Sequence, residues 1–532
     1  MYVDPTATGA NDGTSWADAR GDLQAALGAA TAGTEVWVAR GSYRPALPGS
    51  TTTSFVVPPG VKVYGSFAGH ETSTLQRDID ANRSVLTGDL LRNDLPGFVN
   101  RTDNSERIVS IVDENGDTLL NGFIVEGAES TALFSLGAGA GVRLAGFAPR
   151  IEHCWIRENR NSSSGGGVYS DASEPRIVAC IIEGNQAFFE GAGMYLQATG
   201  AITERCRILQ NRALNGLGGG ARQHGTASWY DCVFSGNTAG SGGGIAATDS
   251  GGSISGCTVV ENRATIQSGA TGGVEVVGMT ISNSILWGNV APSGSVNRQQ
   301  IAGPFGPVEA TTIQAATGFD GLNPRFANSV GPDGVAGTQD DDLRLLPGSP
   351  CIDAGINAST LVNATNDVAG LRRFYDDPDT IDTGVGNAPL VDRGAHEYKP
   401  CLSPTTFCVT SPNTAGAGAR MSAGGTAKLY ADNLVLRAQG CPPFTTGLFF
   451  HGANTLQAPF GNGFRCVGGN VLREGIVTAN ALGLAELAFD ASSSPLPLAP
   501  GVQRHFQFWY RNPAAGGAGF NLSDGLTVRF CP

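Results

Sequence analysis

Cysteines 154, 180, 206, 232 and 257 stand 26, 26, 26 and 25 residues apart, and each is followed five residues later by an asparagine. The pairs are Cys154 with Asn159, Cys180 with Asn185, Cys206 with Asn211, Cys232 with Asn237 and Cys257 with Asn262. A sixth copy carries Ser284 in the cysteine slot and Asn289 in the asparagine slot. Between each asparagine and the next cysteine lies a glycine cluster running into a short strand: GGGVYS, GAGMYL, GGGARQ, GGGIAA and TGGVEV. A fixed period in the twenties means one structural unit repeated, which restricts this stretch to a solenoid.

Each unit reads as strand, turn, strand, turn. In the cysteine strand Cys154 and Ile156 alternate with Trp155 and Arg157, so one pair faces inward and the other outward. No segment of a unit has a sustained helical period. Successive coils then pair in parallel at roughly 4.8 Å, and like residues stack. The stacked cysteines are too far apart for a good disulfide, and the ladder is expected to be buried free thiol. The asparagines are expected at a corner, where they tolerate left-handed backbone and their amides bond the copies above and below. The fold expected is all-β, a parallel β-helix followed by a small antiparallel sandwich.

The alternation of GG-hydrophobic and hydrophobic-x-x-Asn (GGGI at 242–245, FSGN at 234–237) resembles the repeats of bacterial right-handed β-helix surface proteins, among them the polymorphic outer-membrane proteins and relatives of the pectin-lyase-like fold. The resemblance implies a right-handed coil. It leaves the activity open, because that fold hosts lyases, hydrolases, tailspikes and adhesins. Residues from roughly 324 to 398, with GPDGVAGTQDDDLRLLPGSPCIDAG and DVAGLRRFYDDPDTIDTGVGNAPLVDRGAHEY, resemble the choice-of-anchor Q segment, which implies a surface or extracellular location and no defined reaction. FGNGFRCVGG and FQFWYRNPAAGGAGFNLSDGLTVRFCP resemble a C-terminal domain of planctomycete-type secreted proteins, expected to serve attachment or secretion.

The chain divides accordingly. Residues 1–33 form an N-terminal cap, in which Leu23, Ala26 and Leu27 give a one-faced helix that covers the open strand edges of the solenoid. Residues 34–323 form the β-helix, 324–400 the end segment and 401–532 the sandwich, where strands alternate with Gly/Pro turns after a composition shift. The opening YVDPTATG after Met1 carries no leader pattern, so it reads as a mature secreted chain or a trimmed one. Six cysteines lie outside the ladder (Cys351, Cys401, Cys408, Cys441, Cys466 and Cys531) and can pair, which suggests an oxidising compartment. A net charge of -13 argues against nucleic acid or anionic membrane as partner, and no apolar run is long enough to insert in a bilayer.

Three acidic clusters are candidates for calcium, which needs hard oxygen ligands on a flexible loop. Asp333, Asp340, Asp341 and Asp342 are the main candidates, in a Gly-rich loop. Asp113, Asn115 and Asp117 alternate within DENGD, a string that is also ordinary turn chemistry. Asp376, Asp377, Asp379 and Asp382 read equally as a solvated loop.

The outward column beside the cysteines is Arg157, Glu183, Leu209, Ser235, Val260 and Trp287, and one acid in six is no lyase-type metal site. The glycine-strand column is richer: Tyr169, Tyr195, Arg222, Ala246 and Glu275, with Asp171, Gln197, His224, Thr248 and Val277 two residues on. Of these, Tyr169, Asp171, Tyr195, Gln197, Arg222 and His224 are candidate glycan-binding residues, since sugar rings dock on aromatic faces and arginine forks onto carboxylates. The bland reading is that they merely cover a sheet. No Ser/His/Asp spacing, GxSxG or phosphate loop appears, and His153 shares a corner slot with Arg205, Asp231 and Asn283.

The expected function is an extracellular or cell-surface β-helix protein that binds or displays, adhesin-like, with glycan or a cell-surface component as partner. Alternatives are a polysaccharide lyase or glycoside hydrolase, and a structural subunit that self-associates into a filament.

Overall fold

The computed structural model describes every residue except 115, 132–138, 173, 198–199, 248–250, 316–319, 362–364, 378–379, 400–402, 430–431, 492–497, 499–501 and 532. The chain forms two compact units, Met1–Tyr398 and Lys399–Pro532.

The first unit is the solenoid. Among the described residues its strands stack into parallel sheets of 11, 10, 9 and 6 strands. The register is one coil per step: Trp155–Arg157 pairs with Ile181–Glu183, that strand with Arg207–Leu209, and that one with Val233–Ser235. Inward residues make one continuous core, in which Cys154, Ile156, Cys180, Ile182, Cys206, Ile208, Cys232 and Phe234 are all buried. The helix Leu23–Ala29 starts on Asp22, whose carboxylate accepts from the N–H groups of Gln24 and Ala25. It sets Leu23, Ala26 and Leu27 into the same core.

The asparagines form a buried ladder. Asn159 Nδ2 donates to Asn185 Oδ1 at 3.0 Å, Asn185 to Asn211 at 3.0 Å, Asn211 to Asn237 at 3.0 Å and Asn237 to Asn262 at 2.9 Å. Each backbone N–H joins the same oxygen, as Asn185 N does to Asn211 Oδ1 at 3.0 Å. The second amide hydrogen goes to a main-chain carbonyl of the preceding coil, such as Ile182 O from Asn211 at 2.8 Å. The ladder ends outside the repeat, on Gln300 in the short helix Val296–Gln300, where Asn289 Nδ2 meets Gln300 Oε1 at 2.7 Å.

The left-handed position is not the asparagine but the residue before it: Glu158, Gly184, Gln210, Gly236, Glu261 and Gly288 all have positive φ. The asparagines stand in the ladder because of their amides. The other corner is also left-handed, at His153, Ala179, Arg205, Asp231 and Asn283. The glycine cluster is explained by the ladder too. A Cβ at Gly193 would sit 2.4 Å from Gly220 O and 3.0 Å from the Asn211 amide, so only glycine lets the next strand close on the asparagine column.

The cysteine ladder is free and buried. Cys180 N donates to Cys206 Sγ at 3.4 Å, and Cys206 N to Cys232 Sγ at 3.4 Å. Burial holds the Cys154 and Cys232 thiols well above their ordinary range. Pairing of the outer cysteines is narrower than the sequence suggests. Cys408 is bonded to Cys466, and Cys531 is also disulfide-bonded. Cys351 and Cys441 are free and buried, one within the solenoid unit and one in the second unit's core; Cys401 lies outside the described residues. Thiol titration of the unreduced, denatured protein should therefore find at least seven free cysteines, Cys154, Cys180, Cys206, Cys232, Cys257, Cys351 and Cys441. A count of five or fewer would mean Cys351 and Cys441 are paired.

The described residues of 326–398 run along the outside of the cysteine sheet and belong to the solenoid unit. They correct the reading of that sheet's outer column. Leu209, Val233 and Val260 are buried under Leu343 and Ala395, and Ser235 is buried beside Asp341. The contacts follow six successive coils. Gln339 donates to Glu183 at 2.8 Å, Gln210 to Ala336 O at 3.3 Å, and Ser235 to Asp341 at 3.5 Å. Further along, Ala395 N donates to Thr258 Oγ1 at 2.9 Å, Ile356 N to Asn283 Oδ1 at 2.7 Å, and Arg393 to Thr312 Oγ1 at 3.0 Å.

The second unit is antiparallel. Among its described residues a five-stranded sheet carries Phe449, Phe506, Phe508, Tyr510, Leu526 and Val528 into one core with Met421, Leu436, Ala438 and Ala485 of a three-stranded sheet. Two sheets sharing one apolar core are a small sandwich.

Candidate functional site

Parallel stacking brings the glycine-strand side chains into columns. Val142–Gly146 pairs with Val168–Ser170, so Arg143 stands beside Tyr169; Tyr169 stands beside Tyr195, and Tyr195 beside Arg222. The rings of Tyr169 and Tyr195 are half-buried and lie parallel, 5.3 Å apart at 8°. Burial raises the Tyr169 phenol above its ordinary pKa, with the Asp171 charge adding to it. The next ring along is His224, 5.4 Å from Tyr195 and tilted by 52°.

Arg222 does not continue the line. It is 4 % exposed, and its guanidinium turns to Glu190, with Nε 3.4 Å from Oε2. Glu190 sits in the turn before the Tyr195 strand and reaches His224 Nε2 as well, at 3.6 Å. Burial pushes the Glu190 pKa up, but the His224 hydrogen bond and the Arg222 charge outweigh it and hold the carboxyl below its ordinary value. A fork already turned into a half-buried carboxylate is not offered to a ligand carboxylate, so the anionic clamp expected at Arg222 is withdrawn.

Gln197 and Asp171 are exposed, and Asp171 holds Arg143 at 2.7 Å. Arg143 and Glu190 are not among the residues that the sequence singles out. Arg143 was within reach, because GVRLAG aligns with GVYSD one coil on. The face thus offers two stacked tyrosines, an imidazole, an amide and an ion pair. Thr248 lies outside the described residues.

The acidic candidates are placed elsewhere. Asp342 is held by Arg344, with Nε 2.7 Å from Oδ1. Asp341 accepts Gly337 N at 2.6 Å, and Asp340 accepts Asp333 N at 3.4 Å. These four carboxylates do not converge on one coordination sphere; three of them brace their own loop and Asp342 an arginine. Asp113 accepts Gly116 N at 2.7 Å, Ala148 N at 2.8 Å and Thr118 Oγ1 at 2.6 Å, while Asp117 pairs with Lys62 at 2.9 Å. Asn115 and Asp379 lie outside the described residues.

Acidic residues do converge within 353–397. Asp392 accepts Asp353 N at 2.8 Å, Glu397 accepts Asp392 N at 3.1 Å, and Asp367 accepts Glu397 N at 3.0 Å. The fully buried Arg373 lies among them, 3.3 Å from Asp231 and 3.6 Å from Glu397. Beside this knot, and among the described residues, the carboxylates of Asp353, Asp376 and Asp382 bring one oxygen each to within 4.8 Å of one another. An open cavity of about 580 Å³ lies in the same segment, lined by Asn357, Asn366, Arg372, Phe374 and Pro389. No helix among the described residues is long and apolar enough to cross a membrane.

A family profile described as a right-handed beta-helix region matches residues 111–286. A comparison with curated proteins gives no match. Among solved structures the chain is similar to the crystal structure of pectate lyase Pel9A, at 12% identity and a TM-score of 0.43, covering 75% of this chain and 97% of that one. The register and the family match together make this chain an all-β, right-handed parallel β-helix with a small antiparallel region at its C-terminal end.

Proposed function

We propose that this is an extracellular or cell-surface β-helix protein that binds or displays, recognising neutral glycan on the glycine-strand face of its solenoid. The observation that carries the reading is the parallel pair Tyr169 and Tyr195, half-buried in their coils with rings 5.3 Å apart. Two parallel, stacked rings fixed by a sheet give an aromatic surface against which the apolar faces of sugar rings can dock. Exposed Gln197 and Asp171 border it with groups that bond hydroxyls. Neutral ligands suit the site because Arg222 is neutralised by Glu190 and the chain carries a net charge of -13.

The test is a glycan array probed with the wild type and with Tyr169→Ala/Tyr195→Ala. The wild type is expected to bind neutral glycans, and the variant to lose at least tenfold in signal while its melting curve stays close to the wild type's. A silent wild type, or a variant with full signal, removes the reading. Turnover of a neutral glycan would replace display with hydrolase chemistry, and turnover of a uronate-containing one with lyase chemistry.

A further inference from the structure

We propose that Asp353, Asp376 and Asp382 form a calcium site on the outer segment of the solenoid unit. Asp353 is 0 % exposed, and its Oδ1 has no hydrogen-bond donor. Its other oxygen accepts Asp377 N at 3.2 Å. A buried carboxylate oxygen without a donor is a costly exception that calls for a partner. The groups nearest to it make matters worse. Asp376 and Asp382, both exposed, bring oxygens to within 4.8 Å of the Asp353 carboxylate, so three acids share one small space. Burial together with these neighbouring charges raises the Asp353 pKa to about 6.

The buried guanidinium of the segment, Arg373, faces Asp231 and Glu397 instead. A cation held by the three carboxylates would satisfy the orphaned oxygen and remove the repulsion at once. All-oxygen, multiply anionic ligation is hard-cation chemistry. One fixed ligand and two on exposed loop positions give an open, adaptable sphere that water can complete, which suits calcium better than the strict octahedron of magnesium.

The loop around Asp353 has other ties that keep it in place without the ion. Asp353 O accepts from both Thr383 N and Gly384 N at 3.0 Å, which fixes the approach of the loop that carries Asp382. The site is therefore expected to be assembled before calcium enters, with binding that does not require refolding of the segment.

Calorimetric titration of the full chain with calcium chloride, after chelator treatment, tests the site. The wild type is expected to bind calcium and to melt higher in its presence. Asp376→Asn/Asp382→Asn alters only exposed side chains and is expected to weaken binding at least tenfold. Asp340→Asn/Asp341→Asn, in the other acidic loop, is expected to leave it unchanged. Asp353→Asn keeps an oxygen for Asp377 N–H; it is expected to melt no lower than wild type in chelator and to show no calcium response. Absence of binding at millimolar calcium overturns the site, as does binding that survives in Asp376→Asn/Asp382→Asn or vanishes in Asp340→Asn/Asp341→Asn. Tighter binding of magnesium than of calcium overturns the choice of ion.

Discussion

Replacing Arg373 by Met should destabilise the solenoid unit by about 3–5 kcal/mol, the usual penalty for stripping one partner from a buried charge network. The guanidinium is wholly buried and faces Asp231 at 3.3 Å and Glu397 at 3.6 Å, and it donates to Asp392 O at 3.1 Å. Methionine fills most of the volume but leaves the carboxyls without a counter-charge. The loss should depend on pH. Burial raises Asp231 to about 6 and Asp392 to about 7, and in both the Arg373 charge works against the rise. A carboxyl whose folded pKa is raised binds protons more tightly in the native state than in the unfolded chain. Its contribution is fully present below about pH 4 and is lost as pH climbs through about 6 to 7. Without arginine the native carboxyls hold their protons more tightly still, so the deficit of the variant should be larger at pH 8 than at pH 5. Chemical denaturation of both proteins at the two pH values checks this. A deficit below about 1 kcal/mol, or one larger at pH 5, would show that the knot is not an electrostatic unit.

Asn211→Ala should cost about 3 kcal/mol, since it orphans two buried donors at roughly 1–3 kcal/mol each. The donors are Asn185 N and Asn185 Nδ2, both 3.0 Å from Asn211 Oδ1. Ile182 O loses its 2.8 Å amide partner as well. Asn289→Ala near the ladder's end leaves Asn262 in the same position and should cost a comparable amount. Urea unfolding measures both. A change of a few tenths of a kcal/mol at Asn211 would mean that water replaces the amide, which the buried column does not accommodate.

What could be read from the chain, and what could not, follows from how local each signal is. The period of Cys154 to Cys257 and Asn159 to Asn289 fixes strand register directly, because each coil repeats the same problem and the same solution. The fate of Arg222 depends instead on Glu190, which sits in a turn of the preceding coil and belongs to no column. The covering of the cysteine sheet leaves a trace in the sequence: Leu209 and Val260 are apolar in the outward-facing slot. Apolar residues where solvent is expected signal a further layer. Asp353 and Asp382 meet only because an irregular segment folds back on itself, and no period announces that.

The outer segment also changes how the solenoid can come apart. A stack in which every coil touches only its neighbours frays from its ends, one coil at a time, with stability close to a nearest-neighbour sum. The described residues of 326–398 bind lengthwise to coils at Glu183, Gln210, Ser235, Thr258, Asn283 and Thr312. Opening any one of these coils must peel contacts from its neighbours, so this half of the stack is joined into a single cooperative block. The coils between the N-terminal helix and Glu183 have no such contact with the segment among the hydrogen bonds just named, and fluctuations of the native state should concentrate there, leaving the bridged coils to open only when the whole unit does.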